Sequence, residues 1–221
     1  MDGRLGMLSN LRARLWRRAP DTPIGGFGPR GYVGGLWRRM GQLQRRFLIE
    51  QGLAPHHTLL DIACGSLRLG CRIVPYLDPG CYLGIDINGE LIEHGKRVEL
   101  GRRLLAAKRP EFVVSGGFEF ERFSRRPDFA IAQSLFSHLS SADIALCLAN
   151  LARVRKPQTV LYATFLEVDA PVANPAQSHP HRAFRYTRDE MAGLGAAAGW
   201  QCDYLGDWGH PRGQQMLRYT T

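Results

Sequence analysis

The sequence predicts an α/β fold in which a mostly parallel sheet carries helices on both faces. Short apolar segments of strand length alternate along the chain with longer segments whose apolar residues recur at helical spacing. Two of the strand-like segments end in a carboxylate, Asp61 and Asp86, and a glycine-containing turn follows the first. With 221 residues, 44% of them hydrophobic and 22% charged, the chain is long enough for one domain with a substantial core.

The chain begins with a basic extension and a loop, which we assign to residues 1–34, ahead of a domain at residues 35–221. Residues 1–50 hold ten Lys/Arg and three acidic residues, so that they carry +7 of the total charge of +9. Leucines and Trp16 recur at helical spacing between arginines in residues 4–18. Such a basic amphipathic pattern is typical of a solvated tail, and the alternative is a segment that contacts an anionic membrane, nucleic acid or a partner protein. Residues 24–31 are predicted to form a loop or hinge, and residues 36–51 a helix.

The first predicted strand leads to Asp61, a turn through Cys64, Gly65 and Ser66 follows, and a helix is expected to open near Leu67. A glycine turn lets the backbone approach a ligand, and the free N–H groups of a helix start point at it. The second strand ends in Asp86, where a carboxylate can accept hydrogen bonds from both hydroxyls of a ribose. The order of strand, turn, helix, strand and acid therefore predicts a nucleoside site.

The alternation continues to the end of the chain. A helix is predicted over residues 89–105 and another over residues 142–154, with a third strand at 111–115, a fourth at 128–133 and a fifth at 159–166. A helix near 187–198 and strands near 201–206 and 214–219 complete the pattern. Right-handed crossovers would make the first five strands parallel, and the ligand would lie at their carboxyl ends.

The turn resembles the first motif of the class I S-adenosylmethionine-dependent methyltransferases. Asp61, Cys64, Gly65 and Gly70 match that motif, while Ala63 and Leu67 stand where glycines are usual. Leu67 also breaks the three-glycine fingerprint of dinucleotide-binding proteins, and the Gly-Lys-Ser/Thr of a P-loop is absent. Residues 133–139 and 154–157 are similar to later motifs of the family, and the block at 206–216 resembles a bacterial subgroup of it, so that the resemblance covers about residues 55–220. It implies a Rossmann-like, seven-stranded, mostly parallel sheet with an antiparallel C-terminal hairpin.

The resemblance also implies S-adenosyl-L-methionine as the cofactor. Asp86 would hold the ribose, and Gly117 with the ring of Phe118 would hold the adenine, where many family members have an acid. Helices before the first strand often cover the cofactor in this family, so residues 25–32 are expected to form part of a lid. The complete set of residues assigned to the cofactor is Asp61, Ala63, Cys64, Gly65, Ser66, Gly70, Asp86, Ile87, Gly117, Phe118 and Gln133.

Two histidines are candidates for catalysis. Methyl transfer depends mainly on alignment of the reacting atoms; a hydroxyl acceptor benefits from a general base, whereas an unprotonated amine needs none. His138 follows the fourth strand, and His210 lies in a loop between the last two strands. Packing or loop-bonding roles are the alternative for both. Substrate contacts are expected from Glu167, Arg185, Tyr186 and Trp208.

The predicted function is methyl transfer to an oxygen or nitrogen of a small-molecule, lipid-linked or glycan acceptor. Methylation of RNA or protein, and a catalytically inactive cofactor-binding sensor or scaffold, stay open as alternatives. Residues 51–221 carry a net charge of only +2, so the core gives no strong nucleic-acid signal. His179 and His181 lack an adjacent acidic or cysteine ligand, and no metal site is expected.

A cytoplasmic protein, with residues 4–18 as a candidate for peripheral membrane contact, fits the remaining features. No apolar run reaches the roughly 18–20 residues of a membrane-spanning helix. The basic N-terminus lacks the apolar core of a signal peptide. The five cysteines are scattered and odd in number, as expected for reduced thiols.

Overall fold

The computed structural model describes residues 28–221, so the helix predicted over residues 4–18 lies outside the described residues. Two helices precede the sheet, and strands and helices then alternate. The helices are α1 (Gly28–Tyr32), α2 (Trp37–Glu50), α3 (Gly70–Ile73), α4 (Gly89–His94), α5 (Gly101–Lys108), α6 (Ser141–Val154) and α7 (Arg188–Ala197). The strands are β1 (Leu59–Ile62), β2 (Tyr82–Asp86), β3 (Glu111–Val114), β4 (Phe129–Ala132), β5 (Val160–Glu167), β6 (Arg185–Tyr186), β7 (Gln201–Asp207) and β8 (Gln215–Thr220).

Across residues 28–221 these strands form one sheet, in the order β3-β2-β1-β4-β5-β8-β7, with the two-residue β6 beside β5. Strands β1 to β5 are parallel, and β8 lies antiparallel between β5 and β7. The α/β fold and its C-terminal hairpin are as predicted, and β6 adds one strand to the expected seven. The chain crosses from one half of the sheet to the other between β3 and β4. The neighbouring β1 and β4 therefore flank the switch point at which such sheets bind ligands.

The two faces of the sheet carry separate apolar clusters in the described part of the chain. Alternate residues of a strand point to opposite faces, so Leu60 and Ile62 pack with α6 and α7, while Leu59 packs with α2 and α3. Every residue of β1, β2 and β4 is buried, which is typical of central parallel strands covered on both sides. The rigid centre of the sheet therefore holds the turns at its carboxyl edge.

Three local predictions need correction. Part of the predicted loop at residues 24–31 is helical, because α1 begins at Gly28. The helix expected near Leu67 begins only at Gly70, since Leu67 has a φ of 67° and cannot continue a right-handed helix. The helix predicted over residues 89–105 is interrupted by a π-helical segment, Gly95–Leu100. A Cβ on Gly95 would lie 2.5 Å from Leu67 Cγ, so the interruption coincides with close packing against the glycine turn.

No helix within residues 28–221 is long and apolar enough to cross a bilayer.

Candidate active site

A cavity of about 460 Å³ lies at the carboxyl ends of β1, β2 and β4. Its floor is formed by the turns that follow these strands, and its roof by α1, α2 and the segment between β5 and β6. Among the residues assigned to the cofactor from the sequence, six line it: Ala63, Gly65, Asp86, Ile87, Phe118 and Gln133. Both histidines proposed as catalytic, His138 and His210, also line the cavity.

In the turn after β1, every second residue has backbone dihedral angles in the left-handed region, with a positive φ. Ala63, Gly65 and Leu67 have φ values of 61°, 53° and 67°. Ala63 and Leu67 therefore adopt the backbone conformation for which glycine is usual, at a cost of roughly 1–2 kcal/mol per residue. At Gly65 the absence of a side chain is required, because a Cβ there would lie 2.7 Å from Val33 Cγ1. The turn keeps the path of a glycine-rich loop with only one of its three glycines.

Asp86 joins this turn to the end of β2. Its Oδ2 accepts a hydrogen bond from the Gly65 backbone N–H at 2.8 Å, and its Oδ1 accepts one from the Asn88 N–H at 2.8 Å. Burial raises the pKa of Asp86, and the hydrogen bonds from Asn88 and Gly65 oppose that rise. Each carboxylate oxygen has a second lone pair available, so the group can still accept two hydroxyl donors from the cavity side. This capacity fits the ribose predicted for this position.

Five further residues assigned to the cofactor lie behind the cavity wall. The Asp61 Oδ2 accepts a hydrogen bond from the Tyr82 hydroxyl at 2.7 Å, and burial raises the pKa of Asp61 to about 7. The Cys64 thiol is buried, and burial raises its pKa well above the ordinary value. The set that does not line the cavity is Asp61, Cys64, Ser66, Gly70 and Gly117, and all of these except Gly117 are buried.

The wall after β3 is formed by backbone and by one aromatic ring. Ser115, Gly116 and Phe118 line the cavity there. Asn150 on α6 donates hydrogen bonds to the carbonyls of Gly117 and Phe118, at 3.0 and 3.2 Å, and so fixes the loop. Backbone groups and the Phe118 ring thus occupy the position at which the sequence led us to expect adenine.

Arg68 is a cavity residue that the sequence did not single out. Its Nη1 donates to the Val33 carbonyl at 2.9 Å, and its Nη2 donates to Gln133 Oε1. Its buried Nε has no hydrogen-bond partner among the described residues. Burial lowers the pKa of Arg68 to about 10, so the guanidinium stays charged at neutral pH. The side chain lines the cavity as a half-buried cation, which fits an anionic ligand group such as the carboxylate of the methionine moiety of S-adenosylmethionine.

The two histidines have different hydrogen-bonding states. His138 Nδ1 lies 2.9 Å from the Arg182 carbonyl, which can only accept, so Nδ1 carries the proton and the neutral ring has a free lone pair on Nε2. His210 Nδ1 instead accepts the Arg212 N–H at 3.2 Å, and its Nε2 lies 3.3 Å from Gln133 Nε2, so both ring nitrogens already have neighbours. Burial lowers the pKa of both rings, that of His210 to about 4. Both rings are therefore neutral at pH 7, and His138 is the histidine whose Nε2 lone pair can accept a proton.

The roof closes over the glycine turn through contacts made by α1. The Ser66 hydroxyl donates to the Pro29 carbonyl at 3.2 Å, and Arg30 forms an ion pair with Glu99 at 2.8 Å. Tyr32 lines the cavity and meets the His181 ring edge-on, with the ring centres 5.9 Å apart. Residues 28–32 thus occupy the position expected of a lid, while residues 25–27 lie outside the described part.

The four residues predicted to contact substrate do not line the cavity. Glu167 pairs with Arg188 and accepts a hydrogen bond from the Tyr204 hydroxyl. The side chain of Arg185 is exposed on β6, and the buried Tyr186 donates to the Leu139 carbonyl at 2.7 Å. The Trp208 side chain donates its N–H to the Gln214 carbonyl at 3.1 Å and packs on a phenylalanine of α2.

The structure therefore places these four residues outside the cavity. Tyr32, Met40, Pro180 and His181 line the roof of the cavity instead. A sequence shows that a loop carries polar residues, but not which side of the loop faces inward.

Within residues 28–221 no group of three or more histidine, cysteine, aspartate or glutamate side chains is arranged to hold a metal ion.

Residues 60–161 match a family model described as a methyltransferase domain. That stretch runs from β1 into β5 and contains the glycine turn, Asp86 and His138.

Solved structures with the same fold include three methyltransferases. Magnesium protoporphyrin IX methyltransferase of Synechocystis PCC 6803, with S-adenosylmethionine bound, is 14% identical over 95% of this chain and 97% of that chain, at a TM-score of 0.65. A glycopeptide N-methyltransferase complexed with S-adenosyl-L-methionine is 12% identical over 82% of this chain and 94% of that chain, with a TM-score of 0.62. A TehB-like methyltransferase of Corynebacterium glutamicum is 17% identical over 98% and 99% of the two chains, with a TM-score of 0.57.

Proposed function

Because the chain belongs to the class I S-adenosylmethionine-dependent methyltransferases, we propose that it moves the methyl group of this cofactor to an oxygen or nitrogen of a small-molecule, lipid-linked or glycan acceptor. The observation that carries the proposal is the buried Asp86, which is bonded to the Gly65 amide inside a cavity at the switch point of the sheet. A roofed cavity of about 460 Å³ favours a small or extended acceptor group over a folded surface.

Within this cavity different residues of the chain would bind the cofactor and accept a proton from the acceptor. The cofactor supplies a methyl group already activated on a sulfonium, so alignment is the main task of the protein. Asp86 would accept the ribose hydroxyls, and the positively charged side chain of Arg68, which lines the cavity, would attract the methionine carboxylate. For a hydroxyl acceptor, His138 Nε2 would take the proton, while its Nδ1–H stays bonded to the Arg182 carbonyl. An amine that docks unprotonated would not need this step.

The acceptor class is supported by the enclosure of the site and by the charge of the core. The printed names of two structural relatives describe enzymes that act on a porphyrin and on a glycopeptide, both more compact than a folded protein or a nucleic acid. Residues 51–221 carry only +2, which gives little attraction for a nucleic-acid backbone. The five cysteines, all described, are unpaired, and we propose the reducing cytoplasm as the location.

Calorimetry tests the cofactor assignment. S-adenosylmethionine and S-adenosylhomocysteine should bind, and NAD should not. Asp86→Ala removes a charged acceptor, and we expect the affinity for S-adenosylmethionine to fall about 10- to 100-fold. Asp203→Ala is the matched control, since Asp203 is an exposed carboxylate paired with Arg218 outside the cavity. Unchanged binding by the Asp86 variant would refute the ribose assignment.

Transfer of a labelled methyl group to fractionated cell extract then tests the acceptor. Label in small-molecule or lipid fractions is the expected result. Label confined to the RNA or protein fraction would overturn the acceptor class but leave the cofactor assignment intact. Good cofactor affinity without any transfer would instead favour a sensor.

A further inference from the structure

The outer face of α2 carries four exposed arginines in nine residues: Arg38, Arg39, Arg45 and Arg46. We call this the arginine face. Residues seven apart lie almost above each other on a helix, so these side chains form two pairs on the same face, separated by two turns or about 10 Å. Together with Gln42 and Gly209 of the β7–β8 loop they line a shallow surface depression.

Little negative charge balances the arginine face. The acid on α2 is Glu50, which lies 3.8 Å from Arg46, and both of these side chains are more than 60% exposed, so their attraction is weak. Within residues 28–221 neither Arg38 nor Arg39 has a hydrogen bond or ion pair, and Arg45 lies only over the ring of Tyr76, at 5.6 Å. The positive charge is therefore available to a partner.

The opposite face of α2 belongs to the candidate active site. Met40 lines the cavity, and Gln44 donates a hydrogen bond to Gln133 Oε1 at 3.1 Å. Leu36, just before the helix, both lines the cavity and is 42% exposed, which places the start of α2 at the mouth. One helix thus connects an exposed cationic surface to the roof of the cavity.

We propose that the arginine face docks on an anionic lipid surface. Arginine charges near an anionic bilayer each strengthen binding about fivefold, and four of them act together here. The preceding residues 1–27 add five arginines against two acids, with leucines and a tryptophan at helical spacing between them. Apolar side chains among arginines suit the headgroup boundary of a membrane, whereas they have no role against a nucleic-acid backbone. Docking would hold the cavity mouth near the bilayer, and only this last consequence depends on the proposed methyl transfer to a lipid-linked acceptor.

Sedimentation of the full chain with vesicles tests the proposal. The vesicles are phosphatidylcholine alone or an equimolar mixture with phosphatidylglycerol. We expect binding to the mixed vesicles only, and its loss in about 1 M salt, where charges are screened beyond about 3 Å. Replacing all four arginines of the arginine face by glutamine should weaken partitioning at least about tenfold. A single-stranded RNA is tested in parallel.

A second variant removes the same charge elsewhere. Arg97, Arg102, Arg103 and Arg126 are exposed and lie outside both α2 and the cavity. Replacing these four by glutamine should change vesicle binding less than about twofold. An equal loss in both variants would mean that net charge alone acts, and would overturn the proposal. Unchanged binding by the first variant, or retention of RNA instead of vesicles, would also overturn it. Melting temperatures identify a variant that fails to fold, in which case pairwise replacement of Arg38 with Arg39 and of Arg45 with Arg46 supplies the same comparison.

Discussion

Arg68 combines two features that are seldom found together in a protein interior. It is a half-buried cation, and one of its donors, Nε, is enclosed and unpaired among the described residues. Desolvating a charged group is costly unless it is paired, so this side chain is expected to become more favourable when an anionic ligand arrives. Its other donors already bind Val33 and Gln133, which holds the guanidinium in place before the ligand is present.

Replacing Arg68 with methionine should weaken the binding of S-adenosylmethionine far more than the binding of 5′-methylthioadenosine, which lacks the carboxylate. Loss of one charged hydrogen bond of about 1.5–3 kcal/mol corresponds to about a 10- to 100-fold difference between the two ligands. Calorimetry with both ligands measures it. Arg68→Lys keeps the charge and should recover part of the loss. An equal loss for both ligands would mean that Arg68 only supports the fold of the turn.

Ala63 offers a test of the backbone of the turn. Its φ of 61° is costly for alanine and not for glycine, so Ala63→Gly should raise the free energy of unfolding by about 0.5 kcal/mol after the added chain entropy is subtracted. Ala149, exposed in the middle of α6, is the matched control, because Ala149→Gly should lower the same quantity by about 0.5–1 kcal/mol. Urea denaturation measures both. Destabilisation by both variants would contradict the assigned conformation.

The residues of the site could be predicted from the sequence where a motif fixes them along the backbone. Asp86 and Gly65 belong to consecutive strand ends, and their meeting follows from parallel pairing of β1 with β2. Arg68 was missed because its orientation depends on the packing of α1 and Gln133, which are remote in the chain. Trp208 and Glu167 were assigned to the substrate because a loop sequence does not reveal which side chains find partners elsewhere in the fold.

At the scale of elements, α1 is held to the glycine turn by a few specific contacts. Ser66 donates a hydrogen bond to the Pro29 carbonyl, Val33 directly after α1 lies against Gly65, and Arg30 pairs with Glu99 of the adjoining π-helical segment. These contacts are local and leave the sheet untouched. The lid can therefore be removed without cutting into the core.

Removing residues 1–33 should weaken the binding of S-adenosylmethionine about tenfold or more, because Tyr32 and Val33 of the cavity wall are lost. Burial of one such side chain contributes about 1.5–3 kcal/mol. A chain that lacks only residues 1–27 keeps α1 and should bind like the full chain. Stopped-flow measurement of the rate of cofactor dissociation distinguishes the two shortened chains. We expect faster release only from the chain that lacks α1. Identical release from both shortened chains would show that α1 does not cover the ligand.

The regular elements were largely predictable because their apolar periodicity extends over several turns or residues. The limits of β7, α6 and α7 lie within one or two residues of the predicted ones, and side-chain caps at Ser140 and Thr187 define the starts of the two helices. The interruption of the helix at Gly95 was not predictable, since it coincides with a close approach to Leu67 that exists only in the folded chain. The two-residue β6 is too short for any pattern.

At the scale of the whole molecule, His210 makes stability depend on pH. Burial lowers the pKa of His210 from 6.5 to about 4, so the unfolded chain binds its proton first as the pH falls. Stability should therefore fall as the pH is lowered through the interval between these values. Relative to the His210→Gln variant, the wild type should lose free energy of unfolding across this interval. Urea denaturation at several pH values measures the difference, and a constant difference would contradict the burial of the ring.

Asp61 should act with the opposite sign. Burial raises the pKa of Asp61 from 3.8 to about 7, so the folded chain retains a proton that the unfolded chain has already released. Relative to Asp61→Asn, the wild type should lose stability as the pH rises across that interval. The opposite pH dependences of stability that His210 and Asp61 contribute partly cancel in the whole protein. Comparing the wild type with each single variant separates the two contributions.

The burial of Cys64 matters for the methyl transfer proposed in the adjacent cavity. A thiolate is among the best nucleophiles a protein offers, and here a sulfur atom belongs to the loop that would cradle an alkylating cofactor. Because its pKa is raised well above the ordinary value, Cys64 stays a protonated thiol. Enclosure would thereby keep this sulfur atom from being methylated by the proposed cofactor.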